Sequence, residues 1–304
     1  MKTFKDYLGS KMPTRKMLGE GGNAIKKSSR INQKNVKATL ASIYSELLPK
    51  LGISKKETAL LGSTGKRDPA KNGSELGSSG DIDLAIDISK LMAANSLSSK
   101  EEVFEFLKDV GKDYPESVSF IGLDVHSIAF PISNEDGLQN DKFVQLDLMP
   151  VENLDYAKWS YHSPAFNESK YKALYPKEIY YACARHAMFD VTEGTEDSPI
   201  TWNRYFFDLA KGLLKGSQTV KSKSGNIVKK AESFNKEVFT TNPNEVVKIL
   251  FGQAFKKDDV LTWEQCWDVI HSKDFKHKSK LKEILSMVKD GILKKGYPLP
   301  PELD

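Results

Sequence analysis

The chain predicts an α+β fold, with a first half of mixed strands and helices and a mainly α-helical second half. Residues 81–87 and 142–149 alternate apolar with acidic or small residues at period two, which is typical of strands with one buried face. From about residue 177, apolar residues recur at the spacings of three and four that helices show. A length of 304 residues favours two domains. We therefore expect a basic N-terminal segment over 1–34, a strand-and-helix domain over 35–155, and a basic helical domain over 156–304.

The first elements along the chain are a helix and a short strand. Apolar residues spaced by three and four predict a helix over 35–51, and Gly52 is a natural end to it. The apolar residues that follow predict a strand over 58–63 that runs into a turn. Residues 64–80 are dense in Gly, Ser, Asn and Lys, so we expect a loop that leads into the strand at 81–87.

Strand and helix signals then alternate as far as Pro150. Ser98 or Ser99 can cap a helix over 100–111. Residues 117–132 predict a strand with an interruption near Gly122, and a polar turn leads from it to the strand at 142–149. The basic segment 211–236 is expected to be a loop with a short hairpin at 224–226. In the second half, the predicted helices are 177–189, 202–215, 243–255, 262–272 and 279–294.

Composition excludes several classes of protein. No apolar run approaches the roughly 18 residues of a membrane helix, and the N-terminus has no apolar secretory core. The only two cysteines, Cys183 and Cys266, exclude a disulfide framework and a four-thiolate zinc site. We therefore expect an intracellular, cytoplasmic protein.

The net charge of +4 is unevenly distributed along the sequence. Residues 1–60 carry 13 basic and 4 acidic side chains, whereas residues 61–200 carry 13 and 24. Residues 201–304 carry 19 basic and 13 acidic side chains. The acidic middle is where metal ligands are expected, and the basic flanks are where contacts to phosphate are expected.

The acidic middle places three aspartates where they can converge. Asp81 and Asp83 point to one face of their strand because side chains alternate at period two. Asp147 lies on a second strand, opposite its apolar face, and joins them if the two strands are neighbours. Like charges so close together favour a hard divalent cation between them, with Mg²⁺ the usual choice beside phosphates. Such a cluster suits two-metal phosphoryl or nucleotidyl transfer.

A turn ahead of these strands offers candidate phosphate contacts. Gly62 permits close backbone approach to a ligand, and Ser63 adds a hydroxyl and an N–H. Lys66 and Arg67 follow within the loop and could add charge-assisted contacts to a triphosphate. No P-loop sequence accompanies them, because no glycine precedes Lys66 at the required spacing.

Together these motifs resemble the DNA polymerase β-type nucleotidyltransferase superfamily. The matching segments are Leu61-Gly62-Ser63, Gly80-Asp81-Ile82-Asp83-Leu84 and Gln145-Leu146-Asp147-Leu148, within about 90 residues of the chain. The resemblance implies a small mixed sheet packed with helices, and transfer of a nucleoside monophosphate from an NTP to an acceptor. It implies that Asp81, Asp83 and Asp147 bind Mg²⁺ or Mn²⁺, with Asp147 alternatively the base, and that Gly62 and Ser63 hold the triphosphate.

Several alternatives stay open at this point. The 17 residues between Ser63 and Asp81 exceed the family's usual spacing, and Asp124 competes with Asp147 as the third ligand. Asp87 is expected to be a strand end, and the five histidines to have ordinary packed or polar roles. The basic flanks favour RNA, tRNA or another nucleic acid as acceptor, over a small molecule, a protein or a cyclic dinucleotide. A catalytically inactive nucleotide- or RNA-binding member of the fold is the rival, and a metal-dependent phosphohydrolase is a further one.

Overall fold

A computed structural model describes residues 24–71, 77–120, 124–192, 200–220, 222–223, 226–227 and 235–304. Most of the predicted basic segment 1–34 lies outside these residues. The hairpin predicted at 224–226 has its first two residues outside them, although Ser222–Lys223 and Asn226–Ile227 pair as antiparallel strands.

The first half alternates strands and helices as the sequence predicts. The helix expected over 35–51 is confirmed, because helix α1 (Gln33–Ser42) continues through a π-helical turn, Ile43–Leu47, and a last α-helical turn, Leu48–Lys50. One strand ends at Phe120 and the next begins at Val125, and the interruption expected near Gly122 lies outside the described residues. In chain order the elements are β1 (Ile31–Asn32), α1 (Gln33–Ser42), β2 (Thr58–Leu60), β3 (Ser78–Ser79), β4 (Asp81–Asp87), α2 (Ile88–Ala94), α3 (Lys100–Gly111), β5 (Ser117–Phe120), β6 (Val125–Ser133), β7 (Gln139–Val151) and α4 (Leu154–Ser160).

Five of these strands form one mixed sheet in the order β2-β4-β7-β6-β5. Strands β4 and β7 are parallel, and the other neighbours are antiparallel. The chain reaches β7 from β4 only after passing through α2, α3, β5 and β6, because a parallel pair needs a crossover. The two predicted acidic strands therefore lie side by side at the centre of the sheet.

The two faces of this sheet are covered differently. On one face, alternate residues of the central strands, such as Ile82, Leu84 and Leu146, are fully buried with apolar residues of α1 and α3. On the other face, Ala85 packs against Ala157 of α4 in a smaller apolar cluster. Helix α4 covers the part of this face near Ala85, and the aspartates of β4 lie on the same face.

The second half combines helices with a four-stranded antiparallel sheet, which the prediction of a mainly α-helical second half did not include. Its strands lie in the order β13 (Asn235–Thr240), β10 (Gly212–Val220), β9 (Ile200–Asp208) and β8 (Met188–Thr192). The helices predicted at 177–189, 243–255, 262–272 and 279–294 are confirmed, with shifted or shorter bounds. Short 3₁₀ turns occur at Lys55–Glu57, Pro69–Lys71, Lys257–Val260, Lys278–Lys280 and Pro301–Leu303. In chain order the elements are α5 (Leu174–His186), β8 (Met188–Thr192), β9 (Ile200–Asp208), β10 (Gly212–Val220), β11 (Ser222–Lys223), β12 (Asn226–Ile227), β13 (Asn235–Thr240), α6 (Pro243–Leu250), α7 (Trp263–His271) and α8 (Leu281–Lys294).

The helix predicted over 202–215 is wrong, because this segment is a hairpin of β9 and β10. Tyr205 and Phe207 are buried on one face of β9, whereas Phe206 between them is only partly buried, so burial alternates at period two as it does in a strand. Asp208 Oδ1 accepts hydrogen bonds from the N–H groups of Ala210 and Lys211, each 3.0 Å long, which closes the turn. The loop predicted over 211–236 is also wrong in its first part, since β10 begins at Gly212.

A cluster of aromatic side chains forms the core of the second half. Trp159 stacks on Tyr180 with ring centroids 5.5 Å apart, and Phe207 packs edge-on against both rings. Tyr175, Tyr180 and Tyr205 are buried in the same core. Within the described part of the chain, none of the helices is both long enough and apolar enough to span a membrane.

Candidate metal centre

The parallel pairing of β4 with β7 brings the three predicted aspartates together. In the strand register Asp83 lies directly beside Asp147, and Asp81 lies beside Gln145. Asp81, Asp83 and Asp147 each offer one carboxylate oxygen, and these oxygens all lie within 4.8 Å of one another. All three residues are half-buried. Three hard oxygen donors at such short range match the ligand preference of Mg²⁺ or Ca²⁺.

Neighbouring polar groups hold the Asp147 carboxylate in place. The Ser127 hydroxyl on β6 donates to its Oδ1 at 2.5 Å, and Gln145 Nε2 donates to both oxygens at 3.0 Å. The pKa of Asp147 is raised to about 6, first by burial and then by the nearby Asp81 charge, while the hydrogen bonds from Ser127 and Gln145 act in the opposite direction. A cation among the carboxylates would relieve this crowding of negative charge.

Gly62 lies against the carboxylate cluster. Its φ is +64°, and a Cβ placed on it would come within 2.2 Å of Asp83 Oδ2. The preceding N–H, on Leu61, donates to the Asp83 carbonyl at 2.9 Å, so the turn is fastened to β4. Only glycine fits this position, because any side chain would displace the Asp83 carboxylate.

The loop after Gly62 is tied both to β4 and to the second half of the chain. Thr64 Oγ1 donates to the Asp81 carbonyl at 2.8 Å, and Lys66 N donates to Ser63 O at 3.1 Å. Lys66 Nζ donates to the Ser163 carbonyl at 2.6 Å, and partial burial lowers the pKa of this ammonium. The loop therefore fixes the position of Gly62 relative to both halves.

The predicted phosphate-binding residues thus differ in their surroundings. Gly62 adjoins the carboxylates, and half-buried Ser63 follows it in the same turn. Arg67 is joined to α1, since its N–H donates to Gln33 Oε1 at 3.2 Å. The Lys66 ammonium is engaged by a backbone carbonyl, so the structure does not place it as an open triphosphate contact.

The competing aspartates have other roles. Asp124 has a φ of +58° and forms an ion pair with Lys100 at 2.7 Å, and it does not join the carboxylate cluster found among the described residues. Asp87 caps α2 by accepting hydrogen bonds from the N–H groups of Ser89 and Lys90. The prediction that Asp87 is a strand end is therefore confirmed, and Asp147 rather than Asp124 lies with Asp81 and Asp83.

His126 illustrates the packed role that was expected for the histidines. It is fully buried on β6, with its Nδ1 2.7 Å from the Ser119 hydroxyl. Burial lowers its pKa to about 4, so the ring is neutral near pH 7.

Sequence reasoning missed three polar neighbours of the cluster. Ser127 and Gln145 hold Asp147, and half-buried Tyr161 lies at the end of α4. The pKa of Tyr161 is raised by burial first, and then by neighbouring groups that include Asp208 and Asp83. Gln145 lies two positions before Asp147 on the same strand face, a placement that by itself does not distinguish it from a solvent-facing residue.

A separate cavity of about 610 Å³ lies between α4 and residues 241–261. Its lining includes Asn153, Trp159 and His162, and does not include the three aspartates. His162 connects it to the site, because its backbone forms a parallel bridge with Gly62. We take the carboxylates rather than this cavity as the candidate site, since among the described residues they are the group that could hold a metal ion.

The fold and the site define a mixed α+β protein with a candidate divalent-cation centre. No protein-family model matches the chain, and no curated protein shows significant sequence similarity to it. A functional assignment therefore depends on the chemistry of the carboxylates and the residues around them.

Proposed function

We propose that the chain is a divalent-cation-dependent nucleotidyltransferase whose first domain has the polymerase β-like fold. One observation carries the proposal. Asp81, Asp83 and Asp147 meet on neighbouring parallel strands, and Gly62 packs directly on Asp83. The motifs that carry the family resemblance are far apart in sequence, and they come together at one place on the sheet.

The carboxylates fit the cation that the resemblance implies. Asp81, Asp83 and Asp147 would hold Mg²⁺, or Mn²⁺ as the alternative, since carboxylate oxygens are preferred ligands of both. The bound cation would neutralise triphosphate charge and lower the pKa of the acceptor hydroxyl.

Residues of the turn would orient the NTP beside the carboxylates. Because Gly62 has no Cβ, the turn packs directly on the Asp83 carboxylate, and Ser63 in the same turn would offer its hydroxyl and N–H to phosphate oxygens. Arg67 remains a candidate contact for the triphosphate. Lys66 is better suited to anchoring the loop, because its ammonium already binds the Ser163 carbonyl.

The proposed reaction transfers a nucleoside monophosphate. The acceptor oxygen forms a bond to the α-phosphorus, and the bond from that phosphorus to the bridging oxygen breaks as pyrophosphate leaves with the electron pair. Asp147 accepts the hydroxyl proton in this scheme. In the cation-free protein, burial raises the pKa of this carboxyl to about 6, so it is more basic than an exposed aspartate.

The basic flanks favour a polyanionic acceptor, and we propose RNA, tRNA or another nucleic acid. Residues 1–60 and 201–304 carry net charges of +9 and +6, so a phosphate-bearing acceptor has favourable electrostatics at both ends of the chain. Acceptor affinity should then fall with rising salt.

The test is incubation of the full chain with Mg²⁺, each α-labelled NTP in turn, and RNA or small-molecule acceptors. Mass spectrometry identifies the acceptor that gains a nucleotide mass. Asp83→Asn should abolish transfer while the protein stays folded. Asp87→Asn is the matched control, because it makes the same substitution on the same strand face and asparagine also caps helices well.

Each other outcome has a distinct meaning. Equal transfer by wild type and Asp83→Asn would exclude the proposed site. Release of free phosphate instead of pyrophosphate would indicate a phosphohydrolase. NTP binding that is indifferent to Mg²⁺, with no turnover, would indicate an inactive binding protein.

A further inference from the structure

Gln145 joins the N-terminal part of the chain to the carboxylate cluster. It lies two residues before Asp147 on β7 and is only 4% exposed. Its Oε1 accepts hydrogen bonds from the N–H groups of Ala24, at 2.8 Å, and Ile25, at 3.2 Å. Its Nε2 donates to both oxygens of Asp147 at 3.0 Å. A continuous set of hydrogen bonds thus runs from residues 24 and 25 to a candidate metal ligand.

The chemistry of the partners fixes the orientation of this amide. The two backbone N–H groups can only donate, and an ionised carboxylate can only accept. If the amide were flipped, its NH₂ group would face the two N–H groups and its oxygen would face the carboxylate. The bond to Asp147 and the bonds to residues 24 and 25 therefore depend on the same amide orientation.

The segment 24–29 is held on both sides of Gln145. The Glu116 carboxylate accepts hydrogen bonds from Lys26 N at 3.1 Å and Lys27 N at 2.9 Å. Ser29 N donates to the Phe143 carbonyl of β7 at 2.7 Å. These contacts dock the segment on the sheet independently of Gln145, so the docked segment can in turn orient the amide.

We propose that Gln145 is a positioning residue that couples docking of segment 24–29 to divalent-cation affinity at Asp81, Asp83 and Asp147. When the segment is docked, the amide oxygen of Gln145 accepts from the N–H groups of residues 24 and 25, and its NH₂ group holds the Asp147 carboxylate in place. With the segment displaced, the amide loses its two donors and no longer fixes that carboxylate. This rests on the proposed function only in requiring that the three carboxylates bind a divalent cation. Because coupling is reciprocal, cation binding must also strengthen docking of the segment.

The first test measures Mn²⁺ affinity of the full chain by electron paramagnetic resonance of the free ion. Gln145→Met keeps the side-chain length and removes the amide, and we expect it to weaken Mn²⁺ binding 10- to 100-fold, as loss of a ligand's hydrogen-bonding partner typically does. Ala24→Pro removes the shorter N–H bond to Gln145 and leaves the cluster untouched, so we expect a loss of about 3- to 10-fold. Lys26→Pro removes an N–H that is given to Glu116, so it should loosen docking without touching Gln145, and its affinity should fall between those of Ala24→Pro and the wild type. Asp87→Asn is the control, because Asp87 caps α2 and lies outside the cluster, and its affinity should be that of the wild type.

The second test detects the reciprocal effect, which a merely structural role would not produce. Hydrogen exchange at the amides of residues 24 and 25 should slow when Mn²⁺ binds to the wild type. The same amides should exchange independently of Mn²⁺ in Gln145→Met.

The outcomes separate this inference from the proposed function. If the wild type and Asp83→Asn bind Mn²⁺ equally, the metal centre fails, and both proposals fail with it. If Asp83→Asn loses binding but Gln145→Met and Ala24→Pro bind as the wild type does, only the coupling is overturned. Should Gln145→Met fail to fold, Ala24→Pro and the Mn²⁺ dependence of exchange in the wild type decide the matter.

Discussion

Replacement of Gly62 by alanine tests the geometry of the site most directly. A Cβ at this position would lie 2.2 Å from Asp83 Oδ2, so the carboxylate must retreat by about 1 Å to reach a normal contact distance. A misplacement of that size at a reacting centre can cost about 100-fold in rate. The positive φ of +64° adds a backbone cost of about 1 to 2 kcal/mol for any L-residue.

Gly65→Ala separates the two effects. Gly65 has a φ of +79°, so alanine there has a similar backbone cost, but its Cβ would meet nothing closer than Leu60 Cδ2 at 3.9 Å. Urea unfolding should show the backbone cost in both variants, with a loss for Gly62→Ala at least as large as that for Gly65→Ala. Only Gly62→Ala should also lose Mn²⁺ affinity and about 100-fold in transfer rate. Equal Mn²⁺ affinity in the two variants would refute the claim that Gly62 is required by its contact with Asp83.

Three further predictions concern stability. In the cation-free folded protein the pKa of Asp147 is raised from 3.8 to about 6. Between these two values the folded protein binds more protons than the unfolded chain. Its free energy of unfolding should therefore fall by up to about 3 kcal/mol as pH rises from 4 to 6. Denaturation with chelator present should show this slope in the wild type, and Asp147→Asn should lack it. Lys66→Met should cost about 1.5 kcal/mol in urea unfolding through loss of the bond to Ser163, and an unchanged midpoint would contradict an anchoring role. Asp87→Ala should cost about 1 kcal/mol through loss of the α2 cap while cation affinity stays at the wild-type value, and a loss of affinity would place Asp87 in the site.

The sequence predicts the acidic strands well because their signal is local. Asp81, Ile82 and Asp83 already alternate at period two, so each carboxylate and each buried residue falls on a definite face. Asp147 has the same signal on its own strand. The sequence did not establish that β4 and β7 are neighbours, because four other elements lie between these strands in the chain.

The errors in the second half have a physical origin. Tyr205, Phe206 and Phe207 are consecutive large apolar residues, and such a run satisfies helical and strand spacing equally. The sequence did contain a signal for the turn between β9 and β10, because the Asp208 side chain closes this turn and Gly212 has a φ of +107°. Tertiary packing against the aromatic core then favours the strand.

The polar partners of Asp147 could not be predicted from local pattern. Ser127 is 20 residues from Asp147, and Ala24 is 121 residues from Gln145. Ser and Gln on strands are most often solvent-facing, so nothing nearby in the sequence distinguishes these two. Their roles become visible only when the strands and the N-terminal segment are placed together.

The central parallel pair of strands also determines when the cation site can form during folding. Asp83 and Asp147 become neighbours only after β7 has inserted between β4 and β6, which closes a loop of more than sixty residues. Such long-range pairing is slow to form, so a chain still on the ribosome with β7 unmade has two of the carboxylates and no complete ligand set. Divalent cation would therefore bind tightly only to molecules whose sheet is finished, and would draw the folding equilibrium toward them.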